Sequence, residues 1–158
     1  MPDSVERTIM EFRTNKWIKP EDLNPAGSLF GGTLLRWLDE EAAIYALGQL
    51  DNSNVVTKYI SEINFLSSVK QGDVIELGCC IADYGRTSIT VQCEVRNMLT
   101  GERVLTIDKI VFVNLDDNGR PTPHLRRQPA QTTAIYKAQP ESAPAEQESA
   151  AAGLVAPR

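Results

Sequence analysis

Apolar residues along this chain follow two rhythms, one long stretch with a helical period and several shorter ones that alternate. In the stretch 30–50, Leu34, Leu35, Leu38, Ala42, Tyr45 and Ala46 fall within an arc of about 120° when residues are spaced about 100° apart. The spacing predicts one amphipathic helix over 30–50, ended by Gly48 and the polar run Asp51-Asn52-Ser53-Asn54. Upstream, residues 7–13 (RTIMEFR) read as a strand with Thr8, Met10 and Phe12 on one face. Residues 14–28 are polar and Pro-containing and read as an irregular connection. Downstream, 55–66, 74–83, 87–96 and 103–114 read as strands. Turn formers separate them at Gln71-Gly72-Asp73, Tyr84-Gly85-Arg86 and Leu99-Thr100-Gly101-Glu102, and Asp116-Asp117-Asn118-Gly119 closes the run. The cleanest alternation is in 87–96, with Ile89, Val91, Cys93 and Val95 facing in.

A lone long helix ahead of an antiparallel run can bury its apolar face only against that sheet, so the fold class is α+β. About five strands are expected around the one helix. Residues 1–127 form this domain. Beyond them, 128–158 turn rich in Ala, Gln, Glu, Ser and Pro and read as a disordered tail.

Length and charge narrow the picture further. A chain of 158 residues fits one domain with a real core. Its net charge of −5 argues against a nucleic-acid binder, while leaving room for a local basic patch. No basic start leads into an apolar run, and no apolar stretch is long enough to span a bilayer, so the expectation is a cytoplasmic protein. Cys79, Cys80 and Cys93 form no C-x-x-C pair and read as free, partly buried thiols of a reducing compartment, with adjacent Cys79 and Cys80 on opposite faces of one strand. His124, the single histidine, lies in a loop segment and reads as a surface residue, which leaves a His-based triad or a metal site without support.

Two features of the helix carry candidate chemistry. Asp39 lies just beyond the apolar arc, whereas Glu40 points to the far side. A carboxylate at that border is either a solvated helix acid or a group held for use. Gly31 and Gly32 are unfavourable inside a helix, by about 1 kcal/mol each relative to Ala. At a helix start they expose amides that can hold an anion or a developing oxyanion, although close packing on a sheet also favours Gly.

Taken together, Asn24, Gly27, Phe30-Gly31-Gly32 and Asp39-Glu40 resemble the signature of the acyl-CoA hydrolase branch of the hotdog-fold thioesterases. Val55-Val56-Thr57, Phe65, Gly72-Asp73 and Gly85-Arg86-Thr87-Ser88 continue the match in family order, over residues 7–123. The resemblance implies a hotdog fold, with an antiparallel sheet wrapped around the helix, and a homodimer or a trimer of dimers. It implies hydrolysis of acyl-CoA to free fatty acid and coenzyme A, with coenzyme A part of the substrate and no separate cofactor. Asp39 would be the general base or nucleophile, and Asn24 of the facing subunit would orient water or carbonyl. The amides near Gly31 and Gly32 would polarise the carbonyl, and Thr57 would orient Asp39 or the water. Phe30, Leu34 and Phe65 would flank the acyl chain. Gly85, Arg86, Thr87 and Ser88 would meet the nucleotide end, with Arg120, Arg126 and Arg127 as further basic candidates. Without the family, Thr57 is an ordinary strand residue and the Gly85–Ser88 stretch is a hairpin turn with an exposed Arg.

One departure bears on the pocket: Ser68 stands where the family often has Pro, which loosens the bend there. Phe30 gives the Phe-Gly-Gly form of the motif, without the polar contact that the His-Gly-Gly form would supply. The competing reading is a hotdog module that binds or senses acyl-CoA without turnover. A hotdog dehydratase would need a catalytic His that this chain lacks.

Overall fold

The helical rhythm is realised as α1 (Gly31–Leu50), with Leu34, Leu38, Ala42, Tyr45 and Ala46 buried against the sheet. Its bounds match the expected ones, but Gly48 does not stop it. Gly48 lies inside the helix, and the chain leaves through Asp51 in the left-handed conformation (φ 52°). The computed structural model describes residues 9–127. The expected tail, 128–158, lies outside the described residues.

Among the described residues six strands pack against the helix: β1 (Glu11–Trp17), β2 (Val55–Ile60), β3 (Ile63–Phe65), β4 (Val74–Tyr84), β5 (Ser88–Asn97) and β6 (Arg103–Asn114). They form one antiparallel sheet in the order β1-β4-β5-β6-β2, with β3 also paired to β6. The inward residues of β5 expected from alternation, Ile89, Val91, Cys93 and Val95, are all buried. They pack with Ile75, Leu77, Ile107, Ile110 and Phe112 under Leu38 and Ala42. Burying a side chain the size of Leu38 contributes about 2 kcal/mol, so the seam between α1 and the sheet dominates stability. This is the hotdog arrangement that the resemblance implied. Among the described residues no helix is long and apolar enough to cross a membrane.

Three expectations need correction. The first strand begins later and runs through Trp17, into the stretch read as irregular. Its inward side chains are polar, which hid the alternation. Thr14 donates to the buried Glu41 carboxylate at 2.5 Å, and the Lys16 ammonium lies 5.6 Å from the centre of the Trp37 ring. A strand paired on one side only tolerates this. Met10 and Phe12 face outward and cover Gly78, where a Cβ would meet both side chains.

The run 55–66 is not one strand, so the sheet has six strands rather than five. Ser61 breaks it, donating its N–H to Lys109 O (2.9 Å) while its Oγ accepts the Lys109 N–H (3.1 Å). Its hydroxyl thus competes with the ladder and bends the chain. Finally, Cys80 faces Gln92 and Cys79 faces Cys93 (Sγ–Sγ 3.5 Å), so adjacent thiols do point to opposite faces, but all three are buried rather than partly so.

Candidate functional site

The segment leading into α1 is a small closed hairpin. Leu23 bridges to Leu29, and Ser28 to Lys70. Asn24 fastens its tip, its Oδ1 accepting from the N–H of Ala26 (2.9 Å) and of Ser28 (3.2 Å). Gly27 sits at φ 79°, a conformation that disfavours a side chain. With Oδ1 so engaged, the Asn24 amide nitrogen has no recorded partner among the described residues and remains as a donor.

Phe30 then caps α1 in extended conformation, its N–H donating to Asp22 O at 2.9 Å. The next amides, of Gly31 and Gly32, precede the first intrahelical bond, from Leu34 N–H to Phe30 O (3.1 Å). No side chain caps them and no acid lies in the first turn, so the positive end of the helix is left uncompensated locally. Beside them opens a cavity of about 500 Å³, lined by Leu29, Gly31, Leu34, Phe65, Leu66 and Val69 among others. A Cβ on Gly31 would lie 3.4 Å from the Phe65 ring, and one on Gly32 would lie 3.5 Å from the Phe30 ring. Leu34 is core and Phe65, 55% exposed, rims the cavity, but Phe30, 52% exposed, does not line it and lies beside Gly32 instead. Ser67 and Ser68 also line it, and the Ser67 hydroxyl donates to Arg103 O at 3.0 Å.

Asp39 is half-buried on the flank of α1 facing β2, and Glu40 is exposed. The Thr57 hydroxyl donates to Asp39 Oδ1 at 3.0 Å. That leaves Oδ2 without a recorded donor among the described residues and able to accept a proton. Eight residues separate Gly31 from Asp39, about 12 Å along a helix axis at 1.5 Å per residue. A single carbonyl carbon cannot touch both ends of that span.

Thr57 also lines a second cavity of about 410 Å³ with Val56, Lys58, Thr87, Ser88 and Val113. A third, of about 290 Å³, is bounded by Tyr84, Gly85, Arg86, His124, Arg126 and Arg127. The four residues read as one nucleotide contact are therefore divided by their own turn. Gly85 and Arg86 face the basic cavity, while Thr87 and Ser88 face the one that reaches Thr57. A Cβ on Gly85 would lie 2.4 Å from Ser88 Oγ, so a side chain there would push that hydroxyl aside. Arg126 and Arg127 join Arg86, whereas Arg120 belongs to the turn after β6, its N–H donating to Asp116 Oδ1.

His124 is not the free surface residue expected. It is half-buried, bonded to Ser88 O at 2.8 Å, with its ring 6.0 Å from that of Tyr84. Burial raises the Tyr84 hydroxyl above its ordinary value, and the nearby Arg126 partly offsets this. Sequence reasoning also passed over Glu41 and Gln49, both buried on α1. Their signal was positional, since both stand next to apolar-arc residues. Among the described residues no group of three or more metal-binding side chains gathers.

The thioesterase superfamily profile matches residues 26–100. A Haemophilus influenzae protein described as an uncharacterised acyl-CoA thioester hydrolase is 34% identical over 110 residues, covering 64% of this chain and 69% of that one. An acyl-CoA hydrolase from Staphylococcus aureus, solved with butyryl coenzyme A, coenzyme A and coenzyme A disulfide, superposes with a TM-score of 0.65 at 31% identity, over 70% of this chain and 66% of its own. The hexameric thioesterase of Yersinia pestis gives a TM-score of 0.66 at 29% identity, over 72% and 93%. Alanine variants of the Staphylococcus hydrolase replace an asparagine, an aspartate and a threonine. Its asparagine and aspartate are spaced in sequence as Asn24 and Asp39 are here.

Proposed function

The chain belongs to the acyl-CoA thioester hydrolases of the thioesterase superfamily, and from that premise we propose that it hydrolyses acyl-CoA at a site shared by two copies of itself. The observation that carries this reading is the separation along α1. Bare amides lie at one end and a hydrogen-bonded carboxylate lies about 12 Å away, so each chain holds two incomplete halves. Two helices running antiparallel about a twofold would bring each half against its complement.

The dimer contact follows from the edge of the sheet. β2 pairs with β6 on one side only, and Val56, Tyr59 and Ile60 on it are exposed. An apolar edge strand of this kind invites a partner strand. Pairing β2 with its copy would seat Asp39 and Thr57 close to the twofold. A trimer of such dimers accords with the hexameric relative. We place the activity in the cytoplasm, where the three buried thiols stay reduced.

The chemistry divides among the chain's residues. Asp39 Oδ2 accepts a proton from water as the water oxygen bonds to the thioester carbonyl carbon. The amides of Gly31 and Gly32 from the facing protomer hold the oxygen as negative charge develops on it. The carbon–sulfur bond then breaks, and the proton on Asp39 passes to the departing thiolate, giving the fatty acid and coenzyme A. Alternatively Asp39 Oδ2 attacks directly, and water cleaves the resulting anhydride. Thr57 holds Oδ1 in either case, and Asn24 supplies its amide N–H to the water or the carbonyl. The acyl chain runs into the cavity beside Phe65 and Leu66, and the nucleotide end lies toward Arg86.

Turnover of a panel of acyl-CoA thioesters of rising chain length tests this function. Hydrolysis of at least one class is expected, and binding without turnover across the panel would overturn it. A single turnover in ¹⁸O-labelled water then probes the nucleophilic route. Label found in Asp39 marks it as nucleophile, whereas label confined to the product acid shows that water attacks the acyl carbon.

A further inference from the structure

The segment after β6 is tied back to the β4–β5 hairpin. Thr122 N–H donates to Asn114 O (2.9 Å), and Asn114 Nδ2 returns a bond to Thr122 O (2.9 Å). His124 makes the last attachment. Its own N–H reaches toward Arg86 O (3.4 Å), and its Nδ1 accepts the N–H of Arg126 at 3.0 Å. An Nδ1 that accepts from a backbone amide leaves the imidazole proton on Nε2, which then donates to Ser88 O at 2.8 Å. Ser88 O also accepts the N–H of Gly85 (2.9 Å), so one carbonyl fastens both the turn and the segment crossing it.

Leu125 shows what these bonds hold. It adopts φ 61°, a conformation uncommon for a residue with a side chain, yet it is 89% exposed. No apolar burial compensates that backbone. The bonds on either side of it, through the His124 ring, do. Their result is to gather Arg86, Arg126 and Arg127 around one cavity, and no ion pair is recorded for any of the three among the described residues. Three guanidinium groups left unpaired repel one another unless an anion joins them.

We infer that His124 is a positioning residue that shapes this three-arginine cradle for the polyanionic nucleotide end of the substrate. The inference rests on the acyl-CoA reading above and adds to it the residue that sets affinity for that end. His124 need not touch the substrate. It fixes the turn from which Arg126 and Arg127 project.

The test uses two substrates, an acyl-CoA and the same acyl group on N-acetylcysteamine, which has the thioester but no nucleotide. His124→Phe keeps a ring beside Tyr84 and loses both ring bonds. It is expected to raise KM for acyl-CoA about tenfold, the worth of one charged contact, while kcat and the short substrate stay unchanged. His124→Asn keeps an acceptor placed for the N–H two residues on, and should restore KM to within about twofold of wild type. The double variant Arg126→Ala/Arg127→Ala should raise KM as His124→Phe does, which keeps the test alive if His124→Phe does not fold. An unchanged KM in His124→Phe or in the double arginine variant, while Arg86→Ala still raises it for acyl-CoA alone, overturns the inference and leaves the acyl-CoA reading standing. Equal losses on both substrates in Arg86→Ala overturn the reading of the nucleotide end itself, and the inference with it.

Discussion

The first turn of α1 and the turn that carries Asp39 lie on one helix and are built for opposite tasks. At the start there are two glycines, uncapped amides and no acid, beside a largely apolar cavity rimmed by Phe65 and Leu66. Two turns on there is a carboxylate, hydrogen-bonded by a neighbouring hydroxyl and flanked by a strand paired on one side only among the described residues. One end can stabilise negative charge and the other can take a proton. Neither can do both, and the rigid helix between them prevents their meeting within one chain. On the shared-site reading proposed above, the functional unit is larger than the fold, even though the core between α1 and the sheet is built within one chain.

The comparison breaks most sharply at the carboxylate. Asp39→Asn should lower kcat about 10²- to 10⁴-fold, the usual contribution of a positioned base, with melting temperature and coenzyme A affinity retained. Glu40→Gln, one position along on the exposed face, should stay within about twofold in the same assay. At the other end, Gly31→Val places methyl groups between the first amides and the Phe65 ring. A fall in kcat of about 10²-fold is expected, the cost of one lost oxyanion donor, with Asp39 untouched and the fold intact by circular dichroism. Thr57→Val sharpens the comparison at smaller scale. It removes the donor to Asp39 Oδ1 and should cost about tenfold in kcat, while Thr57→Ser should recover most of it.

A last prediction should not distinguish the two ends at all. Burial, and then the charge of Glu11, raise the Tyr45 hydroxyl above its ordinary value of 10.0. A group raised in the folded state contributes its stability fully below its unfolded value, and loses it as pH climbs beyond that toward the folded one. Tyr45's contribution to the melting temperature should therefore hold up to about pH 10 and decline above it. In Tyr45→Phe the decline should be shallower, with both halves of the site failing together as the seam opens.

Much of this was legible in the sequence where one physical requirement acted alone. α1 and β5 showed clean periods because each has one buried face, and β6 ran over the residues its pattern marked. The glycines and Asp39 stood out because each departs from the local helical pattern. Legibility failed where polar groups satisfied one another across the fold. β1 was misplaced because Thr14 faces the Glu41 carboxylate, a pairing between residues 27 apart in sequence. The break at Ser61 depends on Lys109 of β6, and the docking of His124 depends on the Ser88 carbonyl. Such partners are invisible to periodicity. The family resemblance named Asn24 and Thr57, and only the folded chain shows that Asn24 Oδ1 is engaged in its own hairpin while Thr57 reaches Asp39.

The shared site is tested most directly by mixing two inactive proteins. Asn24→Ala and Asp39→Asn subunits, unfolded together and refolded at equal concentration, should give about half heterodimers by random pairing. Each heterodimer then holds one intact site and one doubly damaged site, since twofold symmetry pairs Asn24 of one copy with Asp39 of the other. The account predicts recovery of about a quarter of wild-type activity. Heterodimers confirmed by native mass spectrometry that are no more active than either parent would contradict it.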